Sequence, residues 1–190
     1  MYNKMNQIFD LYDEFGQSDY IGEHVTQTQH MLECAQLAET HFRDQDDPNK
    51  TQIILAALFH DIGHLVGLKQ ALSKMSTLGI TGHEHIGANF LRSLGLVGLI
   101  PDLVEKHVQA KRYLTYINPD YLSHLSDAST KTLKFQGGPM THQEAIKFEL
   151  DPHFNLILLL RTWDDQSKTG KNIKTLDYYK DLLQTHLKSV

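Results

Sequence analysis

An almost wholly apolar segment, IILAALF at 53–59, leads directly into His60 and Asp61. A helix that is apolar on every side is stable only where other elements cover it all round. We therefore predict a helix over 51–61 at the centre of the core. The two ionisable side chains at its end must find partners there, because burying them unpaired is costly. A metal ion would be a partner for both.

The remainder of the chain predicts an all-α protein, because it lacks Val-, Ile- and Thr-rich runs of alternating polarity. Further helices are predicted over 3–15, 23–42, 83–94, 101–113, 126–135, 152–166 and 176–188, with another opened by Asn118 and Pro119. Gly63, Gly67 and Gly79 predict a loop over 63–82. No repeat or long linker divides the chain, so we expect one domain over 1–190.

The charge balance excludes some partners. Lys and Arg number 18 against 23 Asp and Glu, a net charge of −5, which disfavours general binding to nucleic acid or to an anionic membrane.

The apolar runs are too short to span a bilayer, and the N-terminal segment lacks the apolar stretch of a signal peptide. The lone Cys34 excludes an internal disulfide and a cysteine-rich zinc site. We therefore expect a cytoplasmic protein.

Twelve histidines stand out in this composition. Those in helical segments that could join the His60–Asp61 pair are His30, His83 and His107, and Asp164 follows a very apolar run in the same way. Four imidazoles and two carboxylates form a nitrogen and oxygen donor set that suits Fe, Mn or Zn. Six ligands are enough for two metal ions with open coordination positions, provided that one ligand is shared.

The spacing leaves one ligand open. A carboxylate can bridge two ions, and Asp61 is the natural bridge. His85 competes with His83, because the sequence HEH presents two imidazoles two residues apart. The other histidines are interpreted as surface or satisfied core residues: His24, His41, His124, His142, His153 and His186.

The order of these residues on an all-α chain resembles the HD-domain metal enzymes. More specifically, it is similar to the phosphonate-cleaving HD oxygenases of the PhnZ type, which form glycine and phosphate from 2-amino-1-hydroxyethylphosphonate. The similarity is carried by YIGE at 20–23, AALFHDIGH at 56–64, HEHIGA at 83–88, HVQAKRYL at 107–114, SDASTKTLKFQGGPM at 126–140 and RTWDD at 161–165. It implies an HD-domain helical bundle.

The resemblance implies a mixed-valent Fe(II)/Fe(III) pair. It assigns one iron to His30, His60 and Asp164. The second iron is assigned to His83 and His107, with Asp61 as the bridge. The family's pattern of His-Glu, two residues and Gly-Ala aligns with HEHIGA so that His83, and not His85, is the ligand.

Several polar residues suit a tetrahedral oxyanion. Lys111 lies one helical turn after His107, and Arg161 lies three residues before Asp164. Ser129, Thr132 and Gln136 recur on one face of a helix. By themselves these side chains could equally be ordinary surface groups. The resemblance implies that Lys111, Ser129, Thr132, Gln136 and Arg161 bind the phosphonate.

Three further residues acquire roles from the resemblance. From the residues alone, Glu23 is interpreted as an acid in the first turn of a helix and Tyr20 as a packing residue. The resemblance implies that Tyr20 occupies an iron position in the absence of substrate and that Glu23 receives the substrate amine. It also places His64 near the substrate, where it could transfer a proton.

The activity implied is O2-dependent cleavage of the carbon–phosphorus bond of (R)-2-amino-1-hydroxyethylphosphonate. An upstream 2-oxoglutarate-dependent phosphonate hydroxylase is the expected pathway partner. Three alternatives remain: an oxygenase for another 1-hydroxyphosphonate such as hydroxymethylphosphonate, an HD phosphohydrolase, and a metal-dependent sensor domain. Tyr20, Glu23 and the phosphonate set favour the oxygenase, because a hydrolase has no evident need of them.

Overall fold

The regular structure is built almost entirely from helices. The computed structural model describes residues 2–20, 22–171 and 174–189, and within these ranges it contains eleven helices and no β-strand, only two isolated bridges. The all-α prediction is therefore confirmed. The helices are α1 (Tyr2–Phe15), α2 (Gln27–His41), α3 (Lys50–Phe59), α4 (Ile62–Lys69), α5 (His83–Ser93), α6 (Leu99–Ile117), α7 (Pro119–His124), α8 (Asp127–Phe135), α9 (His142–Glu149), α10 (Phe154–Gln166) and α11 (Leu176–Ser189).

Helix α3 lies at the centre of the core, as its apolar sequence predicts. Its residues from Ile53 to Phe59 are buried, and α2, α6, α10 and α11 pack around it. One hydrophobic core joins side chains from Met5 in α1 to Leu183 in α11. Among the helices described here, none by itself is long and apolar enough to cross a membrane; α3 and α4 pass that test only as a pair bent by 43°.

The predicted glycine loop over 63–82 is wrong in its first part, because residues 62–69 form α4. The reason lies at Gly63. A Cβ atom there would approach the carbonyl oxygen of His83 to 1.9 Å. The glycine therefore lets α4 touch the start of α5 and does not confer flexibility. This close approach brings His83 next to Asp61, the residue that precedes α4.

Helix α2 begins four residues later than predicted. Thr26 is its N-cap, and a capping box with Gln29 closes the helix start, so the first helical residue is Gln27. Glu23 therefore lies before the helix, and its interpretation as a first-turn acid is wrong. The other differences are smaller: α6 continues to Ile117, and α9, which the sequence analysis missed, begins after the capping box of Thr141.

Candidate active site

The six predicted metal ligands come from six different elements and converge on one buried point. His30 lies in α2, His60 ends α3, Asp61 precedes α4, His83 begins α5, His107 lies within α6 and Asp164 lies in α10. None of the six is more than 4% exposed. Ionisable groups buried to this degree need partners of opposite charge or a metal.

The first group of donors consists of His30, His60 and Asp164. The Nε2 atoms of the two imidazoles lie 3.0 Å apart, and Asp164 Oδ1 lies 3.3 Å from His30 Nε2 and 3.7 Å from His60 Nε2. Asp61 reaches this group with one oxygen only: its Oδ2 is 3.5 Å from each of the two Nε2 atoms. The donor atoms of His30, His60 and Asp164 all lie within 4.8 Å of one another, so one cation could contact these three residues.

The second group consists of His83 and His107, whose Nε2 atoms lie 3.1 Å apart. The other oxygen of Asp61, Oδ1, faces them at 3.2 and 3.5 Å. The two oxygens of Asp61 thus face different pairs of imidazoles. That is the arrangement of a carboxylate that bridges two metal ions, as the sequence predicts for Asp61.

The hydrogen bonds behind the imidazoles direct their lone pairs inward. His30 Nδ1 donates to the carbonyl of Ser167 at 2.7 Å, His60 Nδ1 to Ala57 at 2.8 Å and His107 Nδ1 to Val104 at 2.7 Å. A neutral imidazole that donates through Nδ1 has only a lone pair at Nε2. Lone pairs that face one another at about 3 Å repel unless a proton or a metal ion lies between them. The donor set therefore fits metal.

The carboxylates provide the negative charge for such cations. Although burial opposes it, the imidazoles, His60 foremost, hold the pKa of Asp61 well below its usual range. Burial also opposes a low pKa for Asp164. The pKa is nevertheless well below its usual range, mainly because of the positive charge of Arg161. Hydrogen bonds to these two carboxylates raise the pKa of His30 to about 9 against the effect of burial. A metal would replace this proton, and metal binding is therefore coupled to pH.

His64 is close enough to join the second group but is held differently. Asp61, His64 and His83 have donor atoms within 4.8 Å of one another, and the rings of His64 and His83 stack at 4.0 Å. However, His64 Nδ1 accepts the N–H of Ile80 at 3.0 Å, so its proton is on Nε2. Burial, and next His83, keep its pKa well below the ordinary value. His64 is thus a neutral donor to the pocket and not a ligand.

Gly79 makes room for the His64 ring. A Cβ atom at residue 79 would lie 2.7 Å from His64 Cε1, and the backbone φ of +102° also favours glycine.

One pocket joins the metal-binding donors to the predicted phosphonate residues. Lys111, Ser129, Thr132, Gln136 and Arg161 all line it. Lys111 Nζ donates to Thr132 Oγ1 at 3.0 Å, and the buried Gln136 Oε1 accepts no hydrogen bond in the part of the chain described. Burial, followed by the charge of Arg161, lowers the pKa of Lys111 to about 7.

Arg161 is less free than the sequence suggests. Its guanidinium is paired with Asp164 and Asp165 and receives additional support from Tyr121, whose hydroxyl accepts a hydrogen bond at 3.0 Å. These contacts fix the orientation of the metal-binding carboxylate of Asp164. Contact of Arg161 with a phosphonate stays a prediction.

Tyr20 and Glu23 belong to one tight turn. The Glu23 N–H donates to the Tyr20 carbonyl and the Tyr20 N–H to the Val25 carbonyl, each at 2.9 Å. The Tyr20 ring stacks on His30 with 3.8 Å between centroids, and both Tyr20 and Glu23 line the pocket. Ile21, within the motif, lies outside the described residues.

Two polar residues in or beside the pocket, Gln27 and Lys168, were missed by the sequence analysis. Gln27 lines the pocket one helical turn before His30, and this spacing was a signal that could have revealed it. Lys168 lies behind the pocket wall, 3.2 Å from Glu23 Oε1. It follows α10 in a connecting segment, where no periodicity predicts which way a side chain points.

His85 lies outside the cluster. Its side chain is 58% exposed and its Nδ1 lies 3.2 Å from Glu105 Oε1 on the neighbouring helix. The structure thus separates the two histidines of HEH: His83 enters the donor cluster and His85 faces solvent.

Comparison with known proteins gives the following similarities. Residues 28–150 match the HD domain family, a range that holds five of the six clustered donors. The chain is 47% identical over 184 residues to the uncharacterized protein L432 of Acanthamoeba polyphaga mimivirus, covering 96% of this chain and 81% of that protein.

Two further relatives have named activities. The chain is 36% identical over 177 residues to a Leisingera caerulea protein named [1-hydroxy-2-(trimethylamino)ethyl]phosphonate dioxygenase (glycine-betaine-forming), covering 93% of this chain and 86% of that protein. It is 36% identical over 174 residues to the hydroxymethylphosphonate dioxygenase of Gimesia maris, covering 92% of this chain and 82% of that protein.

Proposed function

Since the chain belongs to the HD-domain phosphonate dioxygenases and is an O2-dependent enzyme, we propose that its substrate is (R)-2-amino-1-hydroxyethylphosphonate. The products are glycine and phosphate. One substrate molecule and one O2 together contain all the atoms of these two products, so the reaction needs no external reductant. The carbon–phosphorus bond breaks, C1 becomes the glycine carboxyl, and O2 is reduced.

The observation that carries this choice of substrate is a pair of buried acceptors. Both side chains line the pocket; Gln27 Oε1 accepts no hydrogen bond among the residues described, and Glu23 Oε1 accepts none either but lies 3.2 Å from the Lys168 ammonium. Buried acceptors without donors cost free energy, so a ligand that supplies N–H groups is favoured. A primary ammonium supplies three. The negative charge of Glu23 matches its positive charge.

The substrates named for the two bacterial relatives match these acceptors less well. A trimethylammonium group has no N–H to donate, and proteins recognise such groups with aromatic rings. Tyr20 is the single aromatic residue among those described in the pocket lining. Hydroxymethylphosphonate has no amine. It nevertheless shares the hydroxyl and phosphonate groups, and it is the second candidate substrate.

We also propose that the two donor groups hold iron, one ion on His30, His60 and Asp164 and the other on His83 and His107, with Asp61 shared. Bound as a mixed-valent Fe(II)/Fe(III) pair, iron would supply O2 activation and a Lewis acid for the substrate hydroxyl. The nitrogen and oxygen donors suit iron, and Asp61 would be shared between the two ions.

The residues on the substrate side bind and orient. Protonated Lys111 presents positive charge to the phosphonate dianion, and Ser129 offers a hydroxyl donor. Thr132 accepts a hydrogen bond from Lys111 and donates one to the Ser129 carbonyl, so its hydroxyl would have to turn to donate to the phosphonate. Gln136 offers its amide to the same group. Neutral His64 carries its hydrogen on Nε2 and would donate a hydrogen bond from it to an oxygen of the substrate.

Tyr20 and Glu23 couple amine recognition to the metal. In this proposal Tyr20 covers a metal position at rest, and an ammonium drawn to Glu23 shifts the turn that both residues share. Because burial, and then Asp61, raise the pKa of Tyr20 well above its ordinary value, the hydroxyl is neutral before any metal binds. Binding of an aminated substrate would thus move Tyr20 away from the metal-binding donors, which is induced-fit specificity.

The C1 hydroxyl of the substrate suggests the preceding step. An enzyme that hydroxylates the carbon next to phosphorus must act first, and a 2-oxoglutarate-dependent hydroxylase in the same cytoplasm is the partner that we propose. Neither a nucleic acid nor a membrane enters this scheme.

The experiment compares phosphate release from the aminated substrate and from hydroxymethylphosphonate, with and without O2. We expect release from the aminated substrate only with O2; release without O2 would indicate a phosphohydrolase. Glu23→Gln should lower kcat/KM for the aminated substrate roughly tenfold to a hundredfold, as expected for a hydrogen bond to a charged group, and change hydroxymethylphosphonate turnover far less.

Glu39→Gln is the matched control, because Glu39 pairs with Lys174 at the surface, outside the pocket lining. The iron content should equal that of the wild type in both variants. An equal loss on the two substrates in Glu23→Gln would show that Glu23 serves the fold or the metal and does not bind the amine.

A further inference from the structure

Lys168 is a partly buried cation that contacts two residues of the substrate pocket and one neighbour of it. Its Nζ lies 3.2 Å from Glu23 Oε1 and donates to Ser126 Oγ at 3.2 Å and to Ser129 Oγ at 3.3 Å. Both Glu23 and Ser129 line the pocket, and the proposed function assigns the amine to Glu23 and the phosphonate to Ser129. Lys168 therefore connects the groups proposed to recognise the two ends of the substrate.

The backbone around Lys168 is fixed on both sides. The preceding Ser167 accepts the hydrogen bond of His30 Nδ1 with its carbonyl. The following Thr169 and Gly170 donate their N–H groups to Glu33 at 3.0 and 3.1 Å. The ammonium is thus held in place by a braced segment and not by a free surface loop.

The pair of Lys168 and Glu23 is shielded from solvent. The two side chains are 15% and 16% exposed, whereas in the surface pair of Lys174 and Glu39 the lysine is 42% exposed. Shielded charges interact more strongly than exposed ones, and a shielded carboxylate without a partner is correspondingly unfavourable. Glu23 would also repel the phosphonate dianion if no cation balanced it.

Lys168 Nζ thus occupies, next to Glu23, the position that the proposed function gives to the substrate amine. We propose that Lys168 determines specificity by pairing with Glu23 whenever the substrate brings no ammonium, so that the pocket also accepts amine-free 1-hydroxyphosphonates. An aminated substrate brings its own cation to Glu23, and Lys168 then rests on the two serine hydroxyls. The inference rests on the proposed function and extends it to a second class of substrate.

The test is Lys168→Met in the iron-loaded enzyme, with kcat/KM measured for the aminated substrate and for hydroxymethylphosphonate. We expect kcat/KM for hydroxymethylphosphonate to fall at least tenfold more than that for the aminated substrate. The double variant Glu23→Gln with Lys168→Met should recover most of the lost hydroxymethylphosphonate turnover, because no carboxylate is left unpaired. Lys168→Arg, which keeps the charge, should retain the wild-type ratio of the two substrates.

Lys174→Met is the matched control and should leave the ratio unchanged. Iron content should equal the wild-type value in every variant. Equal losses on both substrates in Lys168→Met, or no recovery in the double variant, would overturn the inference and give Lys168 a role in phosphonate binding or in bracing the segment.

Anaerobic titration separates this inference from the proposed function. The dissociation constants of the two phosphonates should show the same selective change in Lys168→Met without any turnover. If the wild type binds both compounds but cleaves neither with O2, the proposed function fails, while the ratio of dissociation constants still decides the role of Lys168.

Discussion

The metal side and the substrate side of the pocket are held in opposite ways. On the metal side, three of the four imidazoles donate through Nδ1 to main-chain carbonyls, His83 Nδ1 has no hydrogen bond among the described residues, and every ligand comes from a helix or its end. On the substrate side, Gln27 and Gln136 each have a buried oxygen that accepts no hydrogen bond among the described residues, and Glu23 Oε1 has an ion pair with Lys168 but no hydrogen bond. The metal donors are thus positioned before a ligand arrives, whereas the substrate side still lacks donors that a ligand can supply.

Asp61→Ala should give the largest effect, because it removes the one carboxylate that faces both groups of imidazoles. We expect loss of at least one iron per chain and loss of dioxygenase activity. The free energy of unfolding should also fall, because metal binding stabilises only the folded state. Elemental analysis and chemical denaturation measure these changes.

Asp102→Ala is the control for that variant. Asp102, in α6, is partly exposed and pairs with Arg92 of α5, away from the donor cluster. Its removal should therefore leave the metal content unchanged. Two irons per chain in Asp61→Ala would contradict the dinuclear assignment.

Lys111→Ala tests the substrate side and should leave the metal in place. We expect kcat/KM to fall roughly tenfold to a thousandfold, the range for a hydrogen bond to a charged group with an added contribution from desolvation. The protonated amine attracts the dianion, and with a pKa of about 7 it is present below pH 7 and lost as the pH rises. The Lys111 contribution to kcat/KM should therefore decrease above about pH 7.

Lys111→Arg sharpens this test, because a guanidinium stays charged throughout that range. Substrate ionisation is the same for both proteins, so the ratio of their kcat/KM values isolates Lys111. We expect the arginine variant to lose the decrease above pH 7. The same alkaline decrease in both proteins would assign it to another group.

The difference between the two sides also explains how much the sequence could predict. The metal donors follow strong helical patterns, and the His60–Asp61 pair after an apolar run was a sufficient signal for the centre of the site. Gly63 led to the wrong prediction of a loop where α4 lies, because a glycine that permits close helix contact looks the same in sequence as one in a loop. Glu23 and Lys168 lie in connecting segments, where tertiary contacts alone decide the direction of a side chain.

His85→Ala should have the smallest effect and tests which histidine of the HEH pair belongs to the metal side. His85 is exposed and contacts Glu105, and exposed pairs of this kind contribute little to stability. His83 contacts Asp61 Oδ1 at 3.2 Å and stacks on His64. We expect His85→Ala to keep two irons per chain and kcat/KM within about twofold of the wild type, since it removes neither a ligand nor a pocket residue. His83→Ala should lose iron, because the remaining imidazole of that group, His107, cannot hold the ion with Asp61 alone. Elemental analysis of the two variants, purified side by side, decides the assignment, and loss of iron in His85→Ala but not in His83→Ala would reverse it.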